Sequence, residues 1–275
     1  MRALGWLFAI VLGLGVAALV VVMVWLPRDG DALGLANERA TRLSAFRRGA
    51  PLPGAGAVVG TLEARLAGGG FKLGAPIFVR IYKRSFEFEV WMQRGGGFAL
   101  FATYPICYFS GNLGPKLRTG DWQSPEGVYQ IKARQLNPNS RWHRAFNLGF
   151  PNGYDQSFGR TGSFLMVHGG CSSVGCYAIT NAAVDDVYAL AQAALGGGQA
   201  SFQVHALPFR MTADALDARR DNKNAAFWNE LKTVSDAFDA THLPPEVAVC
   251  DGHYKIAGIA GRGRYATAEG ACRKL

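Results

Sequence analysis

The chain has 275 residues, of which 12% are aromatic and 18% are charged. This composition suits one well-packed domain and excludes a disordered, collagen-like or disulfide-packed small protein. The formal net charge is +9, but the basic residues are scattered and we find no nucleic-acid recognition motif. We therefore expect a solvated basic surface and no nucleic-acid partner.

An uncharged apolar segment opens the chain. Residues 3–26 carry no charge, and Pro27-Arg28-Asp29 follows them. At about 1.5 Å rise per residue, a helix of this length spans a hydrocarbon core of about 30 Å. A cleavable signal peptide has a shorter apolar region and small residues before the cut, whereas this segment ends in Val24-Trp25-Leu26. We predict an uncleaved N-terminal transmembrane helix, with residues 1–28 as the membrane anchor.

The next residues separate the anchor from a folded domain. Apolar residues at helical spacing predict a short helix over 33–48, and the Gly-, Ala- and Pro-rich stretch 49–60 predicts a linker. We assign 29–60 to a juxtamembrane segment and linker, 61–255 to the folded domain and 256–275 to a C-terminal tail.

Strand patterns dominate the predicted domain. Residues 86–92 alternate apolar with polar or aromatic side chains, which is typical of a half-buried strand. Helices are predicted over 182–195 and 213–238, each after a capping side chain. The fold class is therefore mainly β with packed α-helices. The predicted strands cover residues 77–83, 86–92, 98–104, 127–132, 163–168, 176–180 and 201–207.

The chemistry concentrates in residues 167–177, which read VHGGCSSVGCY. A histidine near a cysteine can generate the reactive thiolate, and Gly175 would let backbone N–H groups face a substrate carbonyl. Three other readings stay open on the residues alone. In the first, His168 and Cys176 are ordinary core residues. In the second, a zinc ion is bound by His168, Cys171 and Cys176. In the third, Cys171 forms a disulfide with another cysteine.

The motif H-G-x(5)-G-C, with a Ser two residues before its second Gly, resembles the active-site signature of the YkuD-type L,D-transpeptidase domain. His168 matches the histidine that opens that signature, and Ser173-Val174-Gly175-Cys176 matches its close. Upstream, residues 124–129 (SPEGVY) resemble the family's S/T-P-x-G-x-Y strand start. The similarity covers roughly residues 61–255.

Two positions depart from the broad family pattern, which has His directly before the Gly-Cys pair and Arg two places after the Cys. Here these places hold Val174 and Ala178. Both departures, together with the short interval between His168 and Cys176, resemble the YafK branch of the family. So do Asn137-Pro138 and the GFPN run at 149–152.

The resemblance implies an L,D-transpeptidase-like β-sandwich or barrel and a cysteine-dependent acyl transfer on peptidoglycan stem peptides. Cys176 would be the nucleophile and His168 its base, with the Gly169 carbonyl orienting the ring. Backbone N–H groups of Gly175 and Cys176 would hold the oxyanion, supported by Ser173. We expect neither a metal nor a cofactor. Tyr104, Tyr108 and Arg210 are weaker candidates for the substrate cleft.

Several functional alternatives stay open. A thiol amidase, which would release a stem or a peptidoglycan-linked lipoprotein, would share every one of these residues. A wall-binding module without activity would share the fold. The resemblance and the apolar segment together place the chain in the inner membrane, single-pass, with the catalytic domain in the periplasm. The sequence does not decide how the remaining cysteines pair, which are Cys107, Cys171, Cys250 and Cys272. A Cys250–Cys272 disulfide is compatible with that compartment.

Overall fold

A computed structural model describes residues 30–54, 59–259 and 272–275. Within these ranges no helix combines the length and apolar character needed to cross a membrane. The predicted transmembrane segment 3–26 lies outside the described residues.

Two five-stranded sheets form the centre of the fold. The first has the spatial order β3-β2-β1-β10-β5, with β1 and β10 parallel and the other pairs antiparallel. Its strands are β1 (Ile77–Tyr82), β2 (Glu87–Arg94), β3 (Gly97–Pro105), β5 (Gly127–Ile131) and β10 (Phe202–Leu207). All five were predicted from their apolar patterns, so the fold class of mainly β with packed helices is confirmed at this level.

The second sheet has the order β4-β9-β8-β7-β6. Its short strands are β4 (Tyr108–Phe109), β6 (Leu136–Ser140), β7 (His143–Asn147), β8 (Met166–His168) and β9 (Tyr177–Ala178). Both sheets contribute side chains to one buried cluster, with Val79 and Val204 from the first sheet and Phe146, Val167 and Tyr177 from the second. This shared core is a sandwich arrangement, and its burial is the main source of stability.

Six α-helices flank the sheets in the part of the chain that the structure describes. They are α1 (Gly30–Arg47), α2 (Leu62–Gly69), α3 (Gly153–Ser157), α4 (Asn181–Gly196), α5 (Ala213–Asp217) and α6 (Ala225–Thr241). The predicted helix over 213–238 is therefore wrong as a single element. It breaks because the Asn222 side chain accepts the Asn224 N–H and the Asn222 carbonyl accepts the Ala225 N–H, which forms a turn in place of helical bonds.

Helix α1 packs on the folded domain. Arg42 is only 2% exposed, donates to the Ile106 carbonyl at 3.0 Å and lies 4.7 Å from the Phe86 ring centroid. Arg39 donates to the Gly111 carbonyl and covers the Phe109 ring. The segment predicted as a juxtamembrane connector is thus a structural part of the domain.

The C-terminal residues also join the fold. A third sheet has the order β12-β11-β13, with β11 (Pro245–Cys250), β12 (His253–Ile259) and β13 (Cys272–Lys274). The boundary predicted at residue 255 falls inside β12, so the described part of the tail is not a separate extension. These strands were missed because their pairing, including the Cys250–Cys272 disulfide, depends on distant residues.

A buried ion pair connects the end of β1 to the residues before β5. Lys83 Nζ lies 3.0 Å from Glu126 Oε1, and both side chains are fully buried. Lys83 also donates to the Asn112 and Gly114 carbonyls, while Glu126 accepts N–H groups from Gly114 and the Trp228 indole. Every charged atom of the pair therefore has partners, as burial requires.

Candidate active site

The parallel pairing of β8 and β9 brings His168 and Cys176 to one face of the second sheet. Val167 lies opposite Tyr177 in the register, and both side chains are in the buried core. Because successive side chains alternate between faces, His168 and Cys176 project to the opposite side from this core pair. The eight-residue interval of the motif is thus the connection between two neighbouring strands.

Cys176 is distinguished from the other cysteines by its oxidation state. All five cysteines of the chain lie within the described residues; Cys107 pairs with Cys171 and Cys250 with Cys272, which leaves Cys176 as the free thiol. The zinc reading of the motif loses one of its three ligands, because Cys171 is bonded to Cys107. The same disulfide ties the loop after His168 to the residue preceding β4.

The Cys176 sulfur is half-buried and has two backbone contacts. The Met166 N–H donates to Sγ at 3.3 Å, and the thiol faces the Phe164 carbonyl at 3.6 Å. Burial raises the pKa of the Cys176 thiol above its ordinary value, although the Met166 N–H and the charge of Lys116 oppose this. At neutral pH the group is therefore a thiol and needs a base to become a nucleophile.

His168 has the properties of a neutral base. It is 2% exposed, and burial lowers the pKa of its imidazole below the ordinary value. Nδ1 lies 2.6 Å from the Gly169 carbonyl oxygen, the contact that the family resemblance implies. Since a carbonyl only accepts, Nδ1 carries the proton and Nε2 is the unprotonated nitrogen.

Three serine hydroxyls hold the backbone around the thiol. Ser173 Oγ accepts the Cys176 N–H at 2.7 Å and donates to the Cys176 carbonyl at 2.7 Å. Ser124 Oγ donates to the same carbonyl at 2.8 Å, and Ser110 Oγ accepts the Gly175 N–H. Both predicted oxyanion donors are therefore already paired with serine hydroxyls, and their role towards an oxyanion stays a prediction. A substrate oxyanion would have to displace the Ser110 or Ser173 hydroxyl.

Comparison with known proteins decides the family. The family model of the YkuD L,D-transpeptidase catalytic domain matches residues 78–204, which run from β1 into β10 and include His168 and Cys176. An Escherichia coli (strain K12) protein named "Putative L,D-transpeptidase YafK" is 41% identical over 184 residues, or 67% of this chain and 75% of the relative. This chain belongs to the YkuD family of L,D-transpeptidases. The family and branch expected from the motifs are thus confirmed.

Solved structures show weaker likeness to this L,D-transpeptidase-family chain. The helical cell shape determining protein Pgp2 (K307A mutant) from Campylobacter jejuni is 20% identical with a TM-score of 0.41, over 65% of this chain and 63% of that one. Bd1075 from Bdellovibrio bacteriovorus is 17% identical with a TM-score of 0.35, over 57% and 56%. In both comparisons the chain spans less than two thirds of the other chain's length.

Of the weaker cleft candidates in this YkuD-family chain, two have other partners. Tyr104 is 1% exposed, with its hydroxyl between Arg65 and Asp186, so it is not available to a substrate. Arg210 forms ion pairs at 2.8 Å with carboxylates of β2 and lies over the Tyr82 ring. These contacts give the side chains of Tyr104 and Arg210 a structural role within the domain. Tyr108 is half-buried in β4 and pairs with Ala178 of β9, so its cleft role stays a prediction.

Sequence reasoning missed several residues at the site of this L,D-transpeptidase-family domain. Ser124 stands in the SPEGVY run, and that motif is the signal that could have assigned its hydroxyl to the active-site loop. Ser110 carries no recognisable motif. Trp142, whose ring lies against His168, is 26 positions upstream and reaches it only through the pairing of β7 with β8.

The pKa directions at the site predict how Cys176 reacts with iodoacetamide. Because the thiol pKa is raised, we expect the alkylation rate to rise about tenfold per pH unit from pH 6 to 8.5, without a plateau. The measurement is intact-protein mass spectrometry over time, with free cysteine as the control. A plateau between pH 5 and 7 would contradict this, since it would show a preformed thiolate–imidazolium pair.

Proposed function

We propose that this chain is a cysteine acyltransferase that acts on the peptide stems of peptidoglycan, with Cys176 as nucleophile and His168 as general base. The observation that carries the proposal is the placement of one free thiol, directly before β9, and one buried imidazole, at the end of the neighbouring parallel strand β8. Membership of the YkuD family supplies the substrate class and the reaction type. The carbonyl of Phe164 faces the half-buried Cys176 thiol, and the Phe164 backbone is strained, with φ +56°. An ordinary core role for Cys176 does not account for this strain.

The proposed reaction has two balanced steps. His168 Nε2 takes the thiol proton as sulfur attacks a stem carbonyl carbon, and the tetrahedral intermediate then expels the leaving amine, which takes the proton from the imidazolium. The product is a thioester on Cys176. An acceptor amine next attacks the thioester, gives its proton to His168 and releases the Cys176 thiolate, which regains that proton.

The backbone around Cys176 supports this assignment. Ser110, Ser124 and Ser173 fix the peptide groups on both sides of the thiol, so the sulfur is held without long side chains having to be ordered first. Holding the nucleophile in this way lowers the entropic part of the barrier to sulfur attack, while the Ser110 or Ser173 hydroxyl still has to move aside for the oxyanion.

The location is proposed on separate grounds. We propose that residues 1–28 anchor the chain in the inner membrane and that the catalytic domain lies in the periplasm. The uncharged segment 3–26 supports an anchor, and two disulfides in the described residues support an oxidising compartment. Peptidoglycan is accessible from that side of the membrane.

Product analysis tests the function. We expect the full chain, incubated with purified peptidoglycan, to produce muropeptides with new amide links when an amine acceptor is supplied. The control is the same protein after complete alkylation of Cys176. Mass spectrometry separates the outcomes: new cross-links show transpeptidation, whereas shortened stems or a released lipoprotein with no new links show transfer to water. No change in any muropeptide would exclude catalysis and favour a wall-binding module.

A further inference from the structure

The indole of Trp142 lies against the imidazole of His168. The two ring centroids are 5.6 Å apart and the planes are inclined by 29°, which is a stacked arrangement. Trp142 occupies the turn between β6 and β7 and is 46% exposed, whereas His168 is 2% exposed. A large aromatic side chain that is half exposed to solvent thus covers one face of a buried histidine.

The backbone holds the indole in this position. The Trp142 carbonyl accepts the Gly169 N–H at 3.0 Å, and the Trp142 N–H donates to Ser140 Oγ at 3.1 Å. A Cβ at residue 169 would lie 2.8 Å from the Trp142 carbonyl oxygen, and one at residue 170 would lie 3.3 Å from the indole Cε3. The Gly169-Gly170 pair after His168 is therefore needed for the close approach of Trp142.

The charges around His168 leave an imidazolium without a carboxylate partner. His168 Nδ1 is bonded to a neutral carbonyl, and among the described residues no carboxylate contacts the ring. On the neighbouring elements, Asp185 of α4 is engaged by His143 Nε2 at 2.8 Å and Arg144 Nε at 3.4 Å, both from β7. Lys116, whose charge acts on the neighbouring Cys176 thiol, is itself paired with Asp121. The face of the Trp142 ring, which is electrostatically negative, is the remaining group within reach that favours a positive charge.

We propose that Trp142 is a positioning residue for the acyl-transfer reaction, and that its ring orients the His168 imidazole and stabilises the imidazolium formed when the Cys176 proton is taken. The inference rests on the proposed function for the role of His168 as base. The stacking itself is independent of any substrate. In acyl-transfer enzymes with a Cys–His–Asn or Ser–His–Asp arrangement, a third polar side chain orients the base; here a carbonyl and an aromatic ring share that task.

Two matched variants isolate the ring. Trp142→Leu keeps an apolar cover over His168 but removes the aromatic face, and Trp142→Phe keeps a smaller aromatic face. We expect NMR titration of the His168 imidazole, assigned with His168→Gln, to give a pKa roughly 0.5–1 unit lower in Trp142→Leu than in the parent. Trp142→Phe should lie closer to the parent. An unchanged or higher pKa in Trp142→Leu, in a protein whose thermal unfolding remains cooperative, would overturn the proposal.

Kinetics provide the second measurement. On peptidoglycan stems, the plateau of kcat/KM should fall about threefold to tenfold in Trp142→Leu, and the acidic limb of its pH profile should move to lower pH by the NMR shift. Trp142→Phe should stay within about twofold of the parent. A lower plateau with an unmoved acidic limb would show a merely structural role. If the parent itself lacks turnover, the proposed function fails while the NMR comparison still decides whether the ring stabilises the imidazolium.

Discussion

The Cys176→Ala variant is expected to lose at least about 10⁴-fold in the rate of stem-peptide turnover. The alanine methyl cannot form the thioester, and the remaining groups at the site supply only binding and polarisation. The fold should be retained, since the polar contacts of the sulfur with the Met166 N–H and the Phe164 carbonyl are long, at 3.3 and 3.6 Å. We expect the free energy of unfolding to change by less than about 1.5 kcal/mol.

The measurement is muropeptide mass spectrometry at matched protein concentrations, alongside thermal unfolding. Ser172→Ala is the matched control, because Ser172 is exposed in the same loop and should leave turnover within about twofold of the parent. Cys176→Ser, which keeps a hydrogen-bonding atom but is a much weaker nucleophile, should resemble Cys176→Ala. Turnover by Cys176→Ala within tenfold of the parent would remove Cys176 from the reaction.

The second large effect is expected at the buried ion pair of Lys83 and Glu126. In Glu126→Gln the Lys83 ammonium loses its anionic partner while remaining fully buried. Breaking such a pair typically destabilises a protein by about 3–5 kcal/mol. Part of the loss should return in the Lys83→Met/Glu126→Gln double variant, because no uncompensated charge is then left in the core.

This destabilisation should depend on pH in a definite direction. Burial lowers the pKa of Lys83 below its ordinary value, and Glu126 is the largest influence opposing that shift. Without Glu126 the folded-state pKa falls further, so the unfolded state binds more protons between that pKa and about 10.4. Stability of Glu126→Gln should therefore rise as pH increases from 7 to 9.

Denaturant unfolding at three pH values measures both effects. The control is Asp217→Asn, which removes an ion pair whose two side chains are 70% and 68% exposed and should cost less than about 1 kcal/mol at every pH. If Glu126→Gln were no less stable than Asp217→Asn at pH 7, the pair would contribute nothing measurable to the fold.

The sequence predicted those features of the fold and the site that depend on residues close together along the chain. Apolar alternation located the strands of the first sheet, and the His-Gly and Gly-Cys elements located the candidate site. Strand β6, with the sequence LNPNS, carries no apolar alternation and was missed, because its pairing with β7 provides the order that its side chains do not predict. Local patterns thus predicted the first sheet together with β8 and β9, and left β4, β6 and β7 of the second sheet unassigned.

Long-range contacts account for what could not be predicted. Arg42 looks like an ordinary surface residue of a basic connector, yet it is buried against Phe86, 44 positions away. The same limit applies to the site. Ser110 and Ser124 reach the backbone of Gly175 and Cys176, and Trp142 reaches His168, only after the strands have paired. Residue type and spacing predicted His168 and Cys176 as the candidate pair but not the groups that hold them.

The position of β10 in the first sheet has a consequence for how the chain matures. This strand lies between β1 and β5, and Val79 pairs with Val204 across an interval of about 125 residues. Contacts of such sequence separation form late, because a long loop must close before they contribute free energy. His168 and Cys176 both lie within that loop. During synthesis, the surroundings of the Cys176 thiol therefore cannot be completed until the segment ending at Leu207 has emerged. A chain truncated before Phe202 would lack β10, the strand that joins β1 to β5.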